Sequence, residues 1–390
     1  MTDLELLFLI LALLYVWECA CWVRRGSVVF RTWLGTQWRM KHPGTLLGNQ
    51  LGGFIFGAPL PPLGTILVGG QLPVSLSPEG ALMFVAPAVN PGWRPPQSAA
   101  LCGMRELGKA RPVGKKVEVN GVVLLRPQST TYTQFLAKRL RALAEAAEGK
   151  RPSFLEELVR ETLDERLVRD RLKEFQAQAR WLRFVTNGLF VYVFVVAPVL
   201  IWQVGLGQCW AILLAGLLGC TASTAILFRN GHRRLYPEDE EERFTHSLIV
   251  LLSPATAMRA CDLLSRPLME SFHPLALARV LCPAPQFQRY ARDIWREIRY
   301  PALPLCPRSE PVAERIERDW RTVLSGEVEQ FLTRNGIDPG TLLKPPEQTD
   351  PACLAYCPRC GAQYTTRVGV CDDCGGRALM PFGEGSDPQR

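Results

Sequence analysis

Histidine is scarce in this chain: four occur in 390 residues, at His42, His232, His246 and His273. None belongs to an H-E-x-x-H pair, and G-x-S-x-G and G-x-G-x-x-G are missing too, which excludes the zincin, α/β-hydrolase and Rossmann signatures. Gly108 to Lys116 (GKARPVGKK) comes nearest to a phosphate loop. Its spacing is one residue too long, and Lys116 stands where a Ser or Thr would hold Mg2+. Paired cysteine spacing is equally absent from most of the sequence. Thirteen cysteines are present, but outside the C-terminal region they are scattered, so a secreted disulfide framework is excluded and free thiols fit a reducing compartment.

Charge is missing from two long stretches, 184–204 and 209–228, and is represented only by Glu18 in a third, 6–23. At 1.5 Å per residue each covers roughly the 30 Å core of a bilayer, which predicts three transmembrane helices. Only Gly205-Leu206-Gly207-Gln208 separates the second from the third, so these two form an antiparallel hairpin, kinked at Pro198. No Lys or Arg precedes the first run, and Asp3 and Glu5 stand where a signal peptide would be basic, so it reads as an uncleaved anchor. Arg24, Arg25, Arg166 to Arg183, Arg229, Arg233 and Arg234 crowd the other flanks. The positive-inside rule then predicts a multi-pass protein of the inner (cytoplasmic) membrane, N-terminus outside and C-terminus cytoplasmic. The formal net charge of +8 belongs with these flanks, beside anionic lipid headgroups.

The predicted architecture is an α+β multidomain membrane protein. It comprises an anchor (1–23), a strand-rich α+β domain (24–150), an amphipathic helix leading to the membrane (151–183) and a transmembrane hairpin (184–228). A helical domain (229–335), a linker (336–352), a zinc ribbon (353–382) and a disordered tail (383–390) follow. Strands are expected at 28–30, 54–56 and 65–68, with hairpins turning at Ser77-Pro78-Glu79-Gly80 and at Asn120-Gly121, where Asn-Gly supplies two positive φ angles. With a helix at 131–147 closing it, this element order resembles a pleckstrin-homology-like barrel; the plainer expectation is a small α+β domain against the membrane. Over 153–175, Ser153 and Glu156 read as a capping box, and Leu155, Val159, Leu163 and Leu167 recur every four residues, joined by Leu158, Leu172 and Phe175.

Beyond the hairpin, the acidic run 238–242 reads as a solvated cap, and 248–252 is too short to span and is expected in a core. Ser253-Pro254 opens a helix to about Leu264, Pro267, Pro274 and Pro283 bound further short ones, and 286–299 and 311–332 are longer. His42-Pro43 and His273-Pro274 are turn or helix-boundary positions, and His232 sits among arginines. His246 is the histidine for which a nucleophile–base pair can be written, with Cys261 or Asp262, although no spacing requires it.

The strongest signal is Cys357-Pro358-Arg359-Cys360 followed by Cys371-Asp372-Asp373-Cys374, each pair trailed by a glycine (Gly361, Gly375). Two C-x2-C pairs at this separation can set four thiolates around one Zn2+. With Tyr364, Gly369 and Leu379, the segment resembles the short C-terminal zinc ribbons of bacterial proteins, whose pattern is C-P-x-C-G, an aromatic, a turn, C-x-D-C-G and a leucine. That resemblance covers the C-terminal module alone. It implies a fold and a structural Zn2+ on Cys357, Cys360, Cys371 and Cys374, not an activity. Cys353 reads as a bystander, and Arg359, Arg367 and Arg377 are offset by Asp372 and Asp373, so nucleic acid is not an expected partner. With no catalytic residue to name and no organic cofactor implied, the expectation is a non-enzymatic membrane scaffold or adaptor. Its partners would be membrane lipid, a cytoplasmic protein and, through self-association, a second copy of the chain. The alternatives are a membrane-bound enzyme with a pocket at His246, His273 or Asp262, and an oligomeric transporter component built around Glu18.

Overall fold

A computed structural model of the protein describes Leu6, Ile10 and residues 28–31, 37–39, 50–51, 65–69, 74–85, 98–125, 130–269, 271–281, 284–300 and 311–383. Leu6 and Ile10 are helical and exposed; the rest of the first apolar run lies outside the described residues, as do Glu18, His42, 54–56 and the tail from 384.

Strands pair with near neighbours in sequence. β1 (Val28–Arg31), β2 (Gln37–Arg39), β3 (Gln50–Leu51) and β4 (Thr65–Gly69) make one antiparallel sheet in the order β2-β1-β4-β3. β5 (Val74–Ser77), β6 (Gly80–Val85) and β7 (Ser98–Gly103) make a meander, and after α1 (Met104–Leu107) so do β8 (Arg111–Val113), β9 (Lys116–Val119) and β10 (Val122–Leu125). The two predicted hairpins are both present. Asn120 (φ 49°) and Gly121 (φ 81°) turn the second, and in the first the Ser77 hydroxyl accepts the Glu79 N–H at 3.1 Å. The barrel-like order is not realised, because the described strands fall into three separate sheets. Helices cover them instead: α2 (Thr130–Glu145) lays Tyr132, Leu136, Leu140 and Leu143 into the core and crosses β8 and β9, so closure is not needed to bury a face.

The amphipathic region is two helices rather than one. α3 (Arg151–Thr162) begins two residues before Ser153, whose hydroxyl donates to the Lys150 carbonyl at 2.9 Å, so the expected capping box does not form. Leu155, Leu158, Val159 and Leu163 are buried as predicted. Then Asp164 caps a fresh helix, accepting the N–H groups of Arg166 (2.8 Å) and Leu167 (3.2 Å). The restart changes the register, so Leu167 is exposed and the buried seam runs Val168, Leu172, Phe175, Ala179, Leu182, Thr186, Leu189. Those steps alternate four and three residues, the spacing of a heptad seam.

This second helix, α4, continues for 40 residues, Glu165–Val204. Pro198 has no N–H to give, and the helix answers with one π turn at Tyr192–Val196, closed by the Ala197 N–H on the Tyr192 carbonyl. Gly205 alone (φ 86°) joins α4 to α5 (Leu206–Leu235), a shorter connection than the four residues expected. Both helices are long and apolar enough to cross a membrane. Within their contact the Tyr192 hydroxyl donates to the Leu213 carbonyl at 2.7 Å, and a Cβ on Gly216 would come within 2.4 Å of that hydroxyl oxygen. Gly216→Ala is therefore expected to lower the melting temperature of the full chain in detergent, by an overpacking cost of about 1–3 kcal/mol. Introduced beside Tyr192→Ala, the same change should cost little; equal costs in both backgrounds would remove this contact as the cause.

α6 (Glu240–Leu252) folds back along α5, with Glu240, Glu241 and Glu242 in its first turn, where the helix dipole favours acids. Its apolar end is not core: Val250 is buried, but Leu248, Ile249, Leu251 and Leu252 are exposed, Leu252 at 72%. A short apolar run of this kind need be neither span nor core, and here it forms apolar surface left open on a helix that packs along α5. Ser253 caps α7 (Pro254–Met258) as predicted, but the helix stops at Arg259 and α8 (Ala260–Met269) carries Pro267 inside it, at the cost of one helical hydrogen bond near its end. α9 (Pro274–Leu281), α10 (Ala284–Arg299), α11 (Pro311–Arg334) and α12 (Pro339–Leu342) complete the helical body. α7, α8 and α9 pack on α4, while α11 bridges α3, α10 and β5.

Candidate metal centre

Five very short strands make the C-terminal module. β11 (Ala355–Tyr356) lies between β12 (Gln363–Tyr364) and β15 (Met380–Pro381), and β13 (Val370–Cys371) pairs with β14 (Arg377–Ala378). The two cysteine pairs sit where these strands turn. Gly361 (φ 75°) and Gly375 (φ 71°) are left-handed, which lets the chain turn tightly after each cysteine pair, with Gly361 N–H on the Cys357 carbonyl (2.8 Å) and Gly376 N–H on the Cys371 carbonyl (3.1 Å).

These turns bring together all four predicted ligands. The sulfurs of Cys357, Cys360, Cys371 and Cys374 lie within 4.8 Å of one another, and Cys360 and Cys371 stand 3.8 Å apart. Four sulfurs at about 2.3 Å from a tetrahedral ion are spaced about 3.8 Å, so the set has the dimensions to hold one metal ion. Cys357, Cys371 and Cys374 are buried, with Tyr364 and Leu379 packed against them. Hydrogen bonds from Cys357 and Cys360, with Arg359 at 3.7 Å from its sulfur, hold Cys374 far below the ordinary thiol value. Cys360 is pushed far above it by hydrogen bonding to Cys357 and Cys374. The sulfurs hydrogen-bond to one another across the cluster, a soft donor set of the kind that binds a soft cation. Cys353 stands outside this group.

The module is docked on the helical body. Arg359 pairs with Glu297 at 3.1 Å, and the Arg377 guanidinium lies 5.4 Å from the centre of the Tyr300 ring. Arg296, 5% exposed, donates to the carbonyls of Leu342 (3.2 Å) and Lys344 (2.6 Å). The segment 336–352, expected as a spacer, therefore contains α12 and is pinned at two carbonyls. A proline-rich composition cannot reveal an arginine more than forty residues away that binds its backbone.

The other candidates go elsewhere. His246 joins His232 and Glu242, Cys261 is buried in the main core, and the side chain of Asp262 lies outside the described residues. A cleft of about 580 Å³ opens where α3 meets α4, lined by Arg160, Glu161, Asp164, Arg166, Phe331 and Arg334 among others, and by none of the residues expected of an enzyme pocket. His273 is fully buried and caps α9, its Nδ1 accepting the Leu275 N–H at 2.9 Å. Its Nε2 has no hydrogen-bond partner among the described residues, and burial pulls its pKa down to about 3. Below its unfolded value of about 6.5 the unfolded chain binds a proton there that the folded chain refuses, so stability falls as the pH drops toward 3. His273→Asn keeps an acceptor for Leu275 without the titration. Its melting temperature should fall less between about pH 7 and pH 5 than that of the parent chain; an unchanged slope would assign the acid sensitivity to other groups.

A scan against protein-family models, a search of curated proteins and a search of solved structures found no match to this chain.

Proposed function

We propose that the protein is a non-enzymatic integral membrane scaffold whose C-terminal ribbon, held by a structural Zn2+, presents a rigid contact surface to a cytoplasmic protein. The observation that carries this reading is a pair of surfaces left uncovered, one on the hairpin and one on the ribbon. On the hairpin, Phe184, Trp202, Trp210, Ile212 and Ile226 are each more than half exposed. Trp181 and Trp202 mark the two ends of that surface, about 32 Å apart along α4, the separation of two interfacial aromatic belts. The exposed end of α6 lies beside α5 and adds to the apolar surface that lipid would cover. On the ribbon, residues 365–370 are all exposed and Val368 reaches 86%, held out by a module fixed to α10.

Zinc is the metal that four converging thiolates favour in a reducing compartment, and four protein sulfurs leave no position for water, which supports a structural role. The partner reading is tested by affinity purification of the full chain from native membranes. A partner retained by the parent chain should be lost with Val368→Asp and on removal of 353–390, while the chain stays in the membrane fraction. An identical partner list from all three would eliminate the ribbon as the contact.

A further inference from the structure

The turn between α5 and α6 gathers a second donor set, remote in sequence from the ribbon. His232 lies in the last turn of α5. Glu242 and His246 stand four residues apart on one face of α6. A ring nitrogen of each histidine and a carboxylate oxygen of Glu242 lie within 4.8 Å of one another. His232 is 2% exposed, and its Nδ1 is closed off from solvent with no hydrogen-bond partner among the described residues. The walls are aromatic: the Phe228 ring is 5.7 Å from His232 and 6.3 Å from His246, and Tyr236 is 5.1 Å from His232. A buried imidazole nitrogen without a partner is costly unless something else supplies the bond.

We propose that His232, Glu242 and His246 form a second metal site, for a divalent first-row transition ion. Two imidazoles with one carboxylate are a borderline donor set. Ca2+ and Mg2+ prefer oxygen alone and Cu+ prefers thiolates, which leaves ions of the Zn2+, Fe2+ and Co2+ kind. Three protein donors also leave coordination positions open, unlike the closed ribbon set. Ligands about 2.1 Å from one ion stand about 3.4 Å apart, so the group must draw in slightly on loading. Glu242 and His246, with side chains 13% and 25% exposed, are the members with room to adjust.

A competitor for the carboxylate is already present. Lys115, in the turn between β8 and β9, donates to the Glu242 oxygen that also faces His246 Nδ1 at 3.5 Å. An ion entering the group would take that carboxylate from the ammonium. Loading would then loosen the Lys115–Glu242 ion pair between the β8–β9 hairpin and α6, making that contact metal-dependent.

Co2+ titration of the full chain in detergent separates the two sites by their spectra. Thiolate-bound Co2+ in the ribbon gives intense near-ultraviolet charge-transfer bands, whereas the nitrogen–oxygen site gives only weaker visible bands. The expected result is uptake of about two equivalents, the second lacking the thiolate bands. Because His232 belongs to the packed interior, the half-buried His246 carries the test. His246→Gln should lose the second equivalent and keep the ribbon spectrum, and Lys115→Met should bind the second ion about tenfold more tightly, one competing charge having been removed. A parent chain that takes up Co2+ only through its thiolates, or a His246→Gln chain that keeps the second equivalent, overturns the site. Unchanged affinity in Lys115→Met overturns the competition.

Discussion

Cys360→Ser is expected to empty the ribbon of its metal and unfold residues 355–382, leaving the helical body intact. Apart from its contacts with Glu297 and Tyr300, the ribbon has little else to hold it. Its strands are two residues long, and its buried interior is the cysteines with Ala355 and Tyr356, Tyr364 and Leu379 packing against the sulfurs. A core that small cannot offset the ordering of some thirty residues, so the free energy of metal binding, about 10 kcal/mol or more for a four-ligand zinc site, is also the folding free energy of the module. The unfolding should stop near Lys344, because Arg296 holds the carbonyls of Leu342 and Lys344 independently of the metal. Metal content per chain and hydrogen exchange across 345–383 measure both parts. A Cys360→Ser chain that keeps its zinc, or a parent chain with less than about half an equivalent under reducing, chelator-free conditions, would refute the site.

Arg160→Ala should produce the largest loss of stability in the helical body. The Glu327 carboxylate on α11 has a side chain only 3% exposed, and both its oxygens are taken by Arg160 on α3, at 3.0 and 2.7 Å. Removing the guanidinium leaves a buried charge without its counterion, a change that costs about 3–5 kcal/mol. At roughly 2–4 °C per kcal/mol, the melting temperature should drop by about 10 °C. Adding Glu327→Leu should return most of it, since the penalty lies in the abandoned carboxylate. Arg160 is itself half exposed. If water entering from that side can solvate Glu327, Arg160→Ala will shift the midpoint by no more than about 2 °C, as for a surface pair.

The parts legible in the sequence were those whose physics is local. Cysteine spacing with trailing glycines located the four-cysteine cluster, Asn120-Gly121 its hairpin, and two uncharged runs the helical hairpin. The rest depended on partners distant in the chain. Leu167 matched the four-residue stripe, but a single cap at Asp164 rotated the following helix and turned it outward. Arg359 reads in the sequence as offset by Asp372 and Asp373, yet it pairs with Glu297 on α10. His232 appeared to belong to the arginines beside it, because its true neighbours, Glu242 and His246, reach it only after the chain reverses between α5 and α6. Only the i, i+4 pairing of Glu242 with His246 hinted at that site, and such pairs are common on helices.

α4 is about 60 Å long at 1.5 Å per residue, and its part from Trp181 onward is the one long and apolar enough to cross a bilayer. The part before Trp181 is about 24 Å long, and α7, α8 and α9 pack on the Glu165–Val191 stretch of the helix. On the proposed reading, with that apolar part seated in lipid, α4 would be a rod clamped at one end. The seam from Val168 to Leu189 passes through the clamp with no helix break, so neither part can swing alone. Tilting the seated part by about 10° would carry the other end sideways by about 4 Å. Spin labels near Asp170, followed in short- and long-chain lipid, would register such a displacement; a stationary label would mean the rod is held from elsewhere. Because a membrane's thickness governs the tilt of what crosses it, α4 on the proposed reading would be a lever arm that turns thickness into the position of the body it carries.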